Sequence, residues 1–301
     1  MDNRQIKDHF LDGRNIVFLL GPPRSGTTYL QRLICSHPDI FTAQESHLFD
    51  SYIGPAMNSW EKQRIPWTFG RIGVGLPCYL KDEEFFNILK SFAMDLLYPI
   101  LAKRGNSSLF LEKTPAHSLY IKEINRLFPD SKFIILTRDP FDTCRSLIHA
   151  GRTWGESWAP RKAIAAAALW KNYMNSILDN KEKIKSEFYE LRYEDLSVNP
   201  KFVLSEVFEF LNIDSTERIL KNIVEENTKQ NTILGTNKEI PIFGQINEIT
   251  GIQMVYDPKG FVNTKKMRLN IFEKIIIWRK TRIIGRKFNY STSMKSILFR
   301  N

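Results

Sequence analysis

Asn15-Ile-Val-Phe-Leu-Leu-Gly-Pro-Pro-Arg-Ser-Gly-Thr-Thr28 is the stretch whose reading decides the fold. The apolar run up to Leu20 stops at Gly21, the pattern of a strand buried on both faces of a parallel sheet. Gly21 to Gly26 then reads as a turn. From Thr27 to Ser36 the residues Leu30, Leu33 and Ile34 recur at helical spacing, and His37-Pro38 ends the helix. Strand, glycine-rich turn and helix in that order make a phosphate cradle. The glycines let backbone N–H groups turn toward an anion, and the helix N-terminus adds partial positive charge. The spacing from Gly21 to Gly26 is that of a Walker A loop, but Thr27 stands where such a loop has its Lys. That difference weighs against ATP or GTP hydrolysis. Arg24 instead sets a fixed positive charge inside the loop.

The alternation continues outward. Ser108–Glu112 is a second strand-like run, and Pro115–Leu127 an amphipathic helix. Lys132–Thr137 is the clearest central strand, followed by a helix from Pro140 to His149 with Pro at its first position. Arg161–Lys185 is a long Ala-rich helix, Glu187–Leu191 a further strand and Pro200–Leu211 a further helix. The expectation is an α/β fold: a P-loop-type doubly wound parallel sheet with helices on both faces. One domain would cover residues 1–301, with its core sheet in 15–211. Residues 50–80 and 229–264 lack a period and read as long loops that cover a site. Trp60 and Trp67, in the first of them, are candidates to stack on a sugar or aromatic ring.

Composition sets outer limits. The chain has 301 residues, 43% apolar and 25% charged, which excludes wholesale disorder. Three widely spaced cysteines, Cys35, Cys78 and Cys144, argue against a disulfide framework and a Cys-based zinc site. No apolar run is long enough to span a bilayer, and Met1–Arg14 is too polar for a secretory signal. A reducing cytoplasm is the expected compartment. The net charge is +10, yet Lys259–Asn301 holds twelve Lys and Arg against one acid, Glu273. The rest of the chain is therefore close to neutral. The basic segment, with a helix expected within 265–290, reads as a solvated face or as an anion-facing element. Phe272, Ile275, Ile276 and Ile283 give that helix an apolar side, so peripheral membrane contact is a further expectation.

A second element sharpens the phosphate reading. The Lys132–Thr137 strand ends in Arg138-Asp-Pro, and Ser146 follows eight residues after Arg138. An Arg at a strand's carboxyl end and a Ser two turns into the next helix can clamp a second phosphate. In open α/β sheets both elements point into one crevice. No His, Asp and Glu cluster has metal spacing, so no metal is expected.

Together, Pro23-Arg-Ser-Gly-Thr-Thr28 and Arg138-Asp-Pro…Ser146 resemble the sulfotransferase family, and Arg24 brings the loop closer to the tyrosylprotein and bacterial branches. The resemblance implies 3′-phosphoadenosine 5′-phosphosulfate as sulfuryl donor. It implies that Arg24, Ser25, Gly26, Thr27 and Thr28 hold the 5′-phosphosulfate, and Arg138 and Ser146 the 3′-phosphate. Tyr193 matches a family tyrosine near the adenine. Lys265, in Asn263-Thr-Lys-Lys-Met-Arg268, stands where the family closes over the donor. Glu45 falls at a family catalytic glutamate, and Lys113 at a family lysine that steadies the transferring group. Gln44 or His47 could share the work of Glu45, and His117, beside Lys113 at the same rim, stays open with His47 as an alternative base. The acceptor implied is a small molecule, a glycan or a peptide, with no nucleic acid. Two other readings compete: a P-loop nucleotide-dependent kinase or hydrolase, and a polyanion-binding adaptor built on the basic segment.

Overall fold

β1 (Ile16–Leu20) is buried along its whole length, as its uninterrupted apolar run demands. The structure is a computed structural model and describes residues 3–64, 75–103, 105–184, 186–234, 267–291 and 293–294. Around β1 lie β2 (Ile40–Thr42), β3 (Leu109–Glu112), β4 (Lys132–Thr137) and β5 (Phe188–Arg192), in the spatial order β2-β3-β1-β4-β5. Every pair is parallel. Val17 stands opposite Leu111 of β3, and Leu20 opposite Ile135 of β4.

The helices are α1 (Asn3–Phe10), α2 (Thr27–Ile34), α3 (Gly54–Arg64), α4 (Asp82–Leu101), α5 (Ile121–Leu127) and α6 (Pro140–Thr153). After them come α7 (Ala163–Lys181), α8 (Tyr193–Val198), α9 (Pro200–Leu211), α10 (Glu217–Leu234) and α11 (Ile271–Lys287). Strand alternation divides the core between the two faces. Ile16, Phe18, Leu20, Phe133 and Ile135 meet the layer of α4 to α7 and α11. Val17, Leu19, Ile134 and Leu136 meet α2, α9 and α10. Each such side chain stabilises the fold by about 1.5–3 kcal/mol through burial, so neither face can be left uncovered. The doubly wound parallel sheet expected from the sequence is the one observed. Its chain goes from β1 outward to β2 and β3 on one side, then to β4 and β5 on the other. That reversal puts a crevice at the carboxyl ends of β1, β3 and β4.

Several expectations need correction. Pro115–Leu127 is not one helix: a 3₁₀ turn, Pro115–Leu119, precedes α5, with Tyr120 between them outside helical geometry. Of residues 50–80, the part up to Arg64 is helical and not loop, while 65–74 lie outside the described residues. A π-helical turn, Leu48–Ile53, runs directly into α3, whose buried stripe of Gly54, Met57 and Trp60 is too narrow to show as a period. Trp60 is buried, stacks on Phe85 at 4.0 Å and donates through Nε1 to Asp82 Oδ1 at 3.0 Å. It is committed to packing α3 on α4 and is not available to a ligand. Trp67 lies outside the described residues. In the 229–264 stretch, α10 continues to Leu234 and the remainder lies outside the described residues.

α11 lies within the 265–290 range expected for a helix. It packs on α6 and α7 through Ile277, Thr281, Ile284 and Gly285, while Phe272 and Ile283 face outward. Asn270 and Glu273 cap its start reciprocally. Arg279, Lys280, Arg282, Arg286 and Lys287 are exposed. Among the described residues, no helix is long and apolar enough to cross a membrane.

Candidate active site

The loop after β1 is shaped by two glycines. Gly21 has φ 153°, and a Cβ there would lie 2.5 Å from the Leu136 carbonyl oxygen, so β1 and β4 end in close approach. Its N–H donates to Ser118 Oγ at 2.9 Å. Ser25 closes the turn, donating from N–H and from Oγ to the Pro22 carbonyl at 3.1 and 2.7 Å. Arg24 is held left-handed, at φ 70°. Gly26, at φ 103°, is the N-cap of α2, and no side chain caps that helix. The first-turn N–H groups, at buried Thr27 and half-buried Thr28, are suited to an anion.

Arg24 Nε donates to Ser146 Oγ at 3.1 Å, and its guanidinium lies 5.2 Å from the centre of the Trp154 ring. Arg138, just past β4, donates to the Arg24 carbonyl at 3.3 Å and lies over the Tyr193 ring at 4.2 Å. Among the described residues, no carboxylate pairs with Arg138. The neighbouring acids have other work. Asp139 accepts from the N–H groups of Phe141 and Asp142 at the start of α6, and Asp142 pairs with Arg145 at 2.9 Å. Tyr193 also closes on the loop: a Cβ on Gly26 would lie 2.4 Å from its ring. Glu194 fixes this corner, accepting from the Asp139 N–H at 2.9 Å and the Tyr290 hydroxyl at 3.1 Å.

A second cluster stands at the end of β3. Lys113 is buried and donates to Glu45 Oε1, while Glu45 itself is 38% exposed. His47 Nδ1 lies 2.8 Å from Asp50 Oδ2, and its Nε2 lies 3.8 Å from Glu45 Oε2. Gln44 is exposed. Beneath them Glu112 accepts from Ser46 Oγ at 2.5 Å and Thr114 Oγ1 at 2.8 Å, and burial holds its carboxyl above the usual range.

His117 is not at the rim where the sequence placed it. It is fully buried against Phe18 and Phe49, and its Nε2 accepts from the Phe49 N–H at 3.2 Å. Burial pushes its pKa down to about 3, so it is neutral and closed to an acceptor. Two groups escaped the sequence reading, Tyr120 and Tyr173. Burial first, then Asp50, pushes both hydroxyls up, that of Tyr173 to about 12, with Glu45 contributing there. Neither belongs to a motif; Tyr173 sits within an Ala-rich helix. Lys265 lies outside the described residues, and Arg268 is exposed.

The structure thus gathers Arg24, Gly26, Arg138, Ser146 and Tyr193 into one contact group, and Glu45, His47 and Lys113 into another. The Gly21–Ser118 hydrogen bond ties the loop to the turn that follows Lys113.

The sequence pattern of the Sulfotransferase family matches residues 16–217, the span from β1 to the start of α10. Protein-tyrosine sulfotransferase A of Caenorhabditis elegans is 23% identical over 218 residues, 69% of this chain and 54% of that protein. The chain thus spans about half the length of that relative. Among solved structures, the sulfotransferase domain from the curacin biosynthetic pathway has a TM-score of 0.55 at 21% identity, covering 92% of this chain and 98% of that one. A mouse sulfotransferase complexed with PAP has a TM-score of 0.50 at 16% identity, covering 98% of this chain and 93% of that one. With the family pattern matched over more than half its length and the fold shared with solved sulfotransferases, the chain belongs to the sulfotransferase family and is an enzyme of that class.

Proposed function

We propose that the chain moves a sulfuryl group from 3′-phosphoadenosine 5′-phosphosulfate to a hydroxyl or amine acceptor by in-line displacement. When bound, the donor supplies an activated sulfuryl group with a phosphate as leaving group. The observation that carries this reading is Arg138. A half-buried guanidinium with no carboxylate partner among the described residues, laid on Tyr193 and joined to the loop carbonyl of Arg24, suits a phosphate monoester. Ser146, whose hydroxyl accepts from Arg24 Nε, would add a further hydrogen bond to that phosphate. Arg24, Ser25 and the uncapped N-terminus of α2, from Gly26 to Thr28, suit the phosphosulfate. Tyr193 suits the adenine edge, and Lys265 would close over the donor.

On this reading Glu45 removes the acceptor proton. Lys113 and Arg24 neutralise charge that grows on the sulfuryl and leaving oxygens. With those cations in place the chemistry needs no metal. The mouse relative's complex with PAP supports the donor class, and the C. elegans relative's name favours a peptide tyrosine among the acceptors. Three free thiols, at Cys35, Cys78 and Cys144, suit a reducing compartment such as the cytoplasm.

Calorimetric titration with adenosine 3′,5′-bisphosphate tests the reading, with and without Mg²⁺, on wild type and Arg138→Ala. Metal-independent micromolar binding that the variant loses is the expected result. No binding of the bisphosphate, with Mg²⁺-dependent binding of ATP or GTP, would overturn it in favour of a nucleotide-dependent kinase or hydrolase.

A further inference from the structure

We propose that His47, oriented by Asp50, takes the proton that Glu45 removes from the acceptor and passes it to solvent. The inference rests on the reading of Glu45 as the base.

A carboxylate can only accept, so the 2.8 Å contact between His47 Nδ1 and Asp50 Oδ2 puts the ring proton on Nδ1. The neutral ring then presents a bare Nε2, and that atom faces Glu45 Oε2 at 3.8 Å. The other Glu45 oxygen is taken by Lys113. The 3.8 Å gap is within the looseness of a site without its substrate and closes by rotation of the Glu45 side chain. His47 is itself half-exposed, with 51% of its side chain open, so a proton on it can reach water.

The backbone is set for this arrangement. His47 is left-handed, at φ 52° and ψ 24°, at the start of the π-helical turn that carries Asp50 three residues on. An outlier of this kind persists where its surroundings hold it. Asp50 Oδ1 is buried and has no hydrogen-bond partner among the described residues. His117 Nε2, 3.8 Å away, is already accepting from Phe49. At Oδ2 the Asp50 carboxylate already receives the His47 Nδ1–H, and an imidazolium there would add an opposite charge. The titratable groups that act on His47 are Glu45 and Asp50 on its own segment and His117 on the 3₁₀ turn; Lys113 pairs with Glu45, and Tyr120 before α5 and Tyr173 on α7 couple to Asp50.

The step balances. The acceptor oxygen bonds to sulfur as the bond from sulfur to the leaving phosphate oxygen breaks, with the electron pair going to that oxygen. The acceptor proton passes to Glu45 Oε2. That O–H bond then breaks toward His47 Nε2, which leaves the Glu45–Lys113 ion pair restored and an imidazolium between two carboxylates. Loss of the proton to water returns His47 to neutral.

The test uses the full chain labelled with ¹⁵N-histidine. Long-range proton–nitrogen NMR reads the His47 tautomer, with His47→Asn for assignment, since Asn tolerates the left-handed backbone. The expected neutral form carries its proton on Nδ1 in wild type and on Nε2 in Asp50→Ala. In parallel, bisphosphate release from the phosphosulfate donor is followed with water as acceptor. His47→Asn is expected to slow it about a hundredfold, the lower end of a general-base contribution, with unchanged calorimetric affinity for the bisphosphate. An Nε2–H tautomer in wild type, or a His47→Asn rate equal to wild type, would overturn the relay. Failure of wild type to bind the bisphosphate would instead overturn the donor reading, and the tautomer spectra would still report on the Asp50–His47 pair.

Discussion

Arg24 Nε donates to Ser146 Oγ at 3.1 Å and so joins the loop after β1 to the second turn of α6. One donor molecule held by both residues must couple them. Arg24→Ala and Ser146→Ala are each expected to weaken adenosine 3′,5′-bisphosphate binding by about tenfold or more, roughly 1.4 kcal/mol each. Their double variant is expected to depart from additivity by about 0.5–3 kcal/mol. A calorimetric double-mutant cycle reads this directly. Additivity within about 0.3 kcal/mol would show the contact to be incidental to binding.

Glu45 and Lys113 separate chemistry from binding. Glu45→Gln keeps the side-chain shape but removes the base, so turnover is expected to fall at least about a hundredfold with donor affinity unchanged. Lys113→Met keeps the buried stem and removes the ammonium. It is expected to cut turnover similarly while thermal unfolding moves little, because the Glu45 carboxylate is exposed enough to hydrate without it. Full turnover in Glu45→Gln would move the base elsewhere, with half-exposed His47 next in line and buried His117 excluded by its packing.

The sheet's centre was legible because its signals are local. β1 and β4 are continuous apolar runs, and each ends at a residue of marked chemistry, Gly21 or Arg138. Other elements hid for physical reasons. β2 has three residues, too few to show an alternation. α4 carries Pro99 inside it and turns Ile88, Phe92 and Leu96 outward, which blurs its buried stripe. The site divides in the same way. Arg138 and Ser146 belong to one strand–helix unit, so their spacing announces them. Whether the His117 ring turns to the rim or to the core is decided by packing on Phe18 and Phe49, two segments away in sequence. The Asp50–His47 contact depends on a π-helical turn and a left-handed residue, neither of which leaves a periodic trace.

Gly26 is the position where loop geometry and the Tyr193 side chain constrain each other. Gly26→Ala sets a Cβ 2.4 Å from Tyr193 Cδ2 and 2.7 Å from Cε2, at a φ of 103° that L side chains rarely adopt. The ring must leave its place beneath Arg138. The expected cost is about 1–3 kcal/mol of stability, with donor affinity reduced more than about tenfold. Adding Tyr193→Ala relieves the clash but not the backbone strain, so it is expected to recover part of the stability and none of the affinity. Thermal unfolding and calorimetry on both variants check this, and a Gly26→Ala protein that binds like wild type would refute it.

His117 makes the fold acid-sensitive in a definable window. Burial lowers its pKa to about 3, against 6.5 for a free histidine, so between those values the unfolded chain binds a proton that the native state refuses. Stability from this residue is complete above pH 6.5 and declines as pH falls toward 3. Glu112 works in the opposite sense: its raised native pKa makes the unfolded state the better acid above about pH 4.5, so its effect on stability falls as pH rises. Below pH 4.5 Glu112 is protonated in both states, and His117 acts without that opposition. His117→Gln keeps an acceptor for the Phe49 N–H and cannot titrate. Urea unfolding between pH 3 and 4.5 is expected to show a wild-type slope about 1.4 kcal/mol per pH unit steeper than the variant's, since Glu112, 3.3 Å from His117 Nδ1, is protonated in the native state there and the more distant carboxylates cancel in the difference. Equal slopes would mean that His117 is already protonated in the native state, which would require its Nε2 to give up the Phe49 hydrogen bond and the ring to reach water.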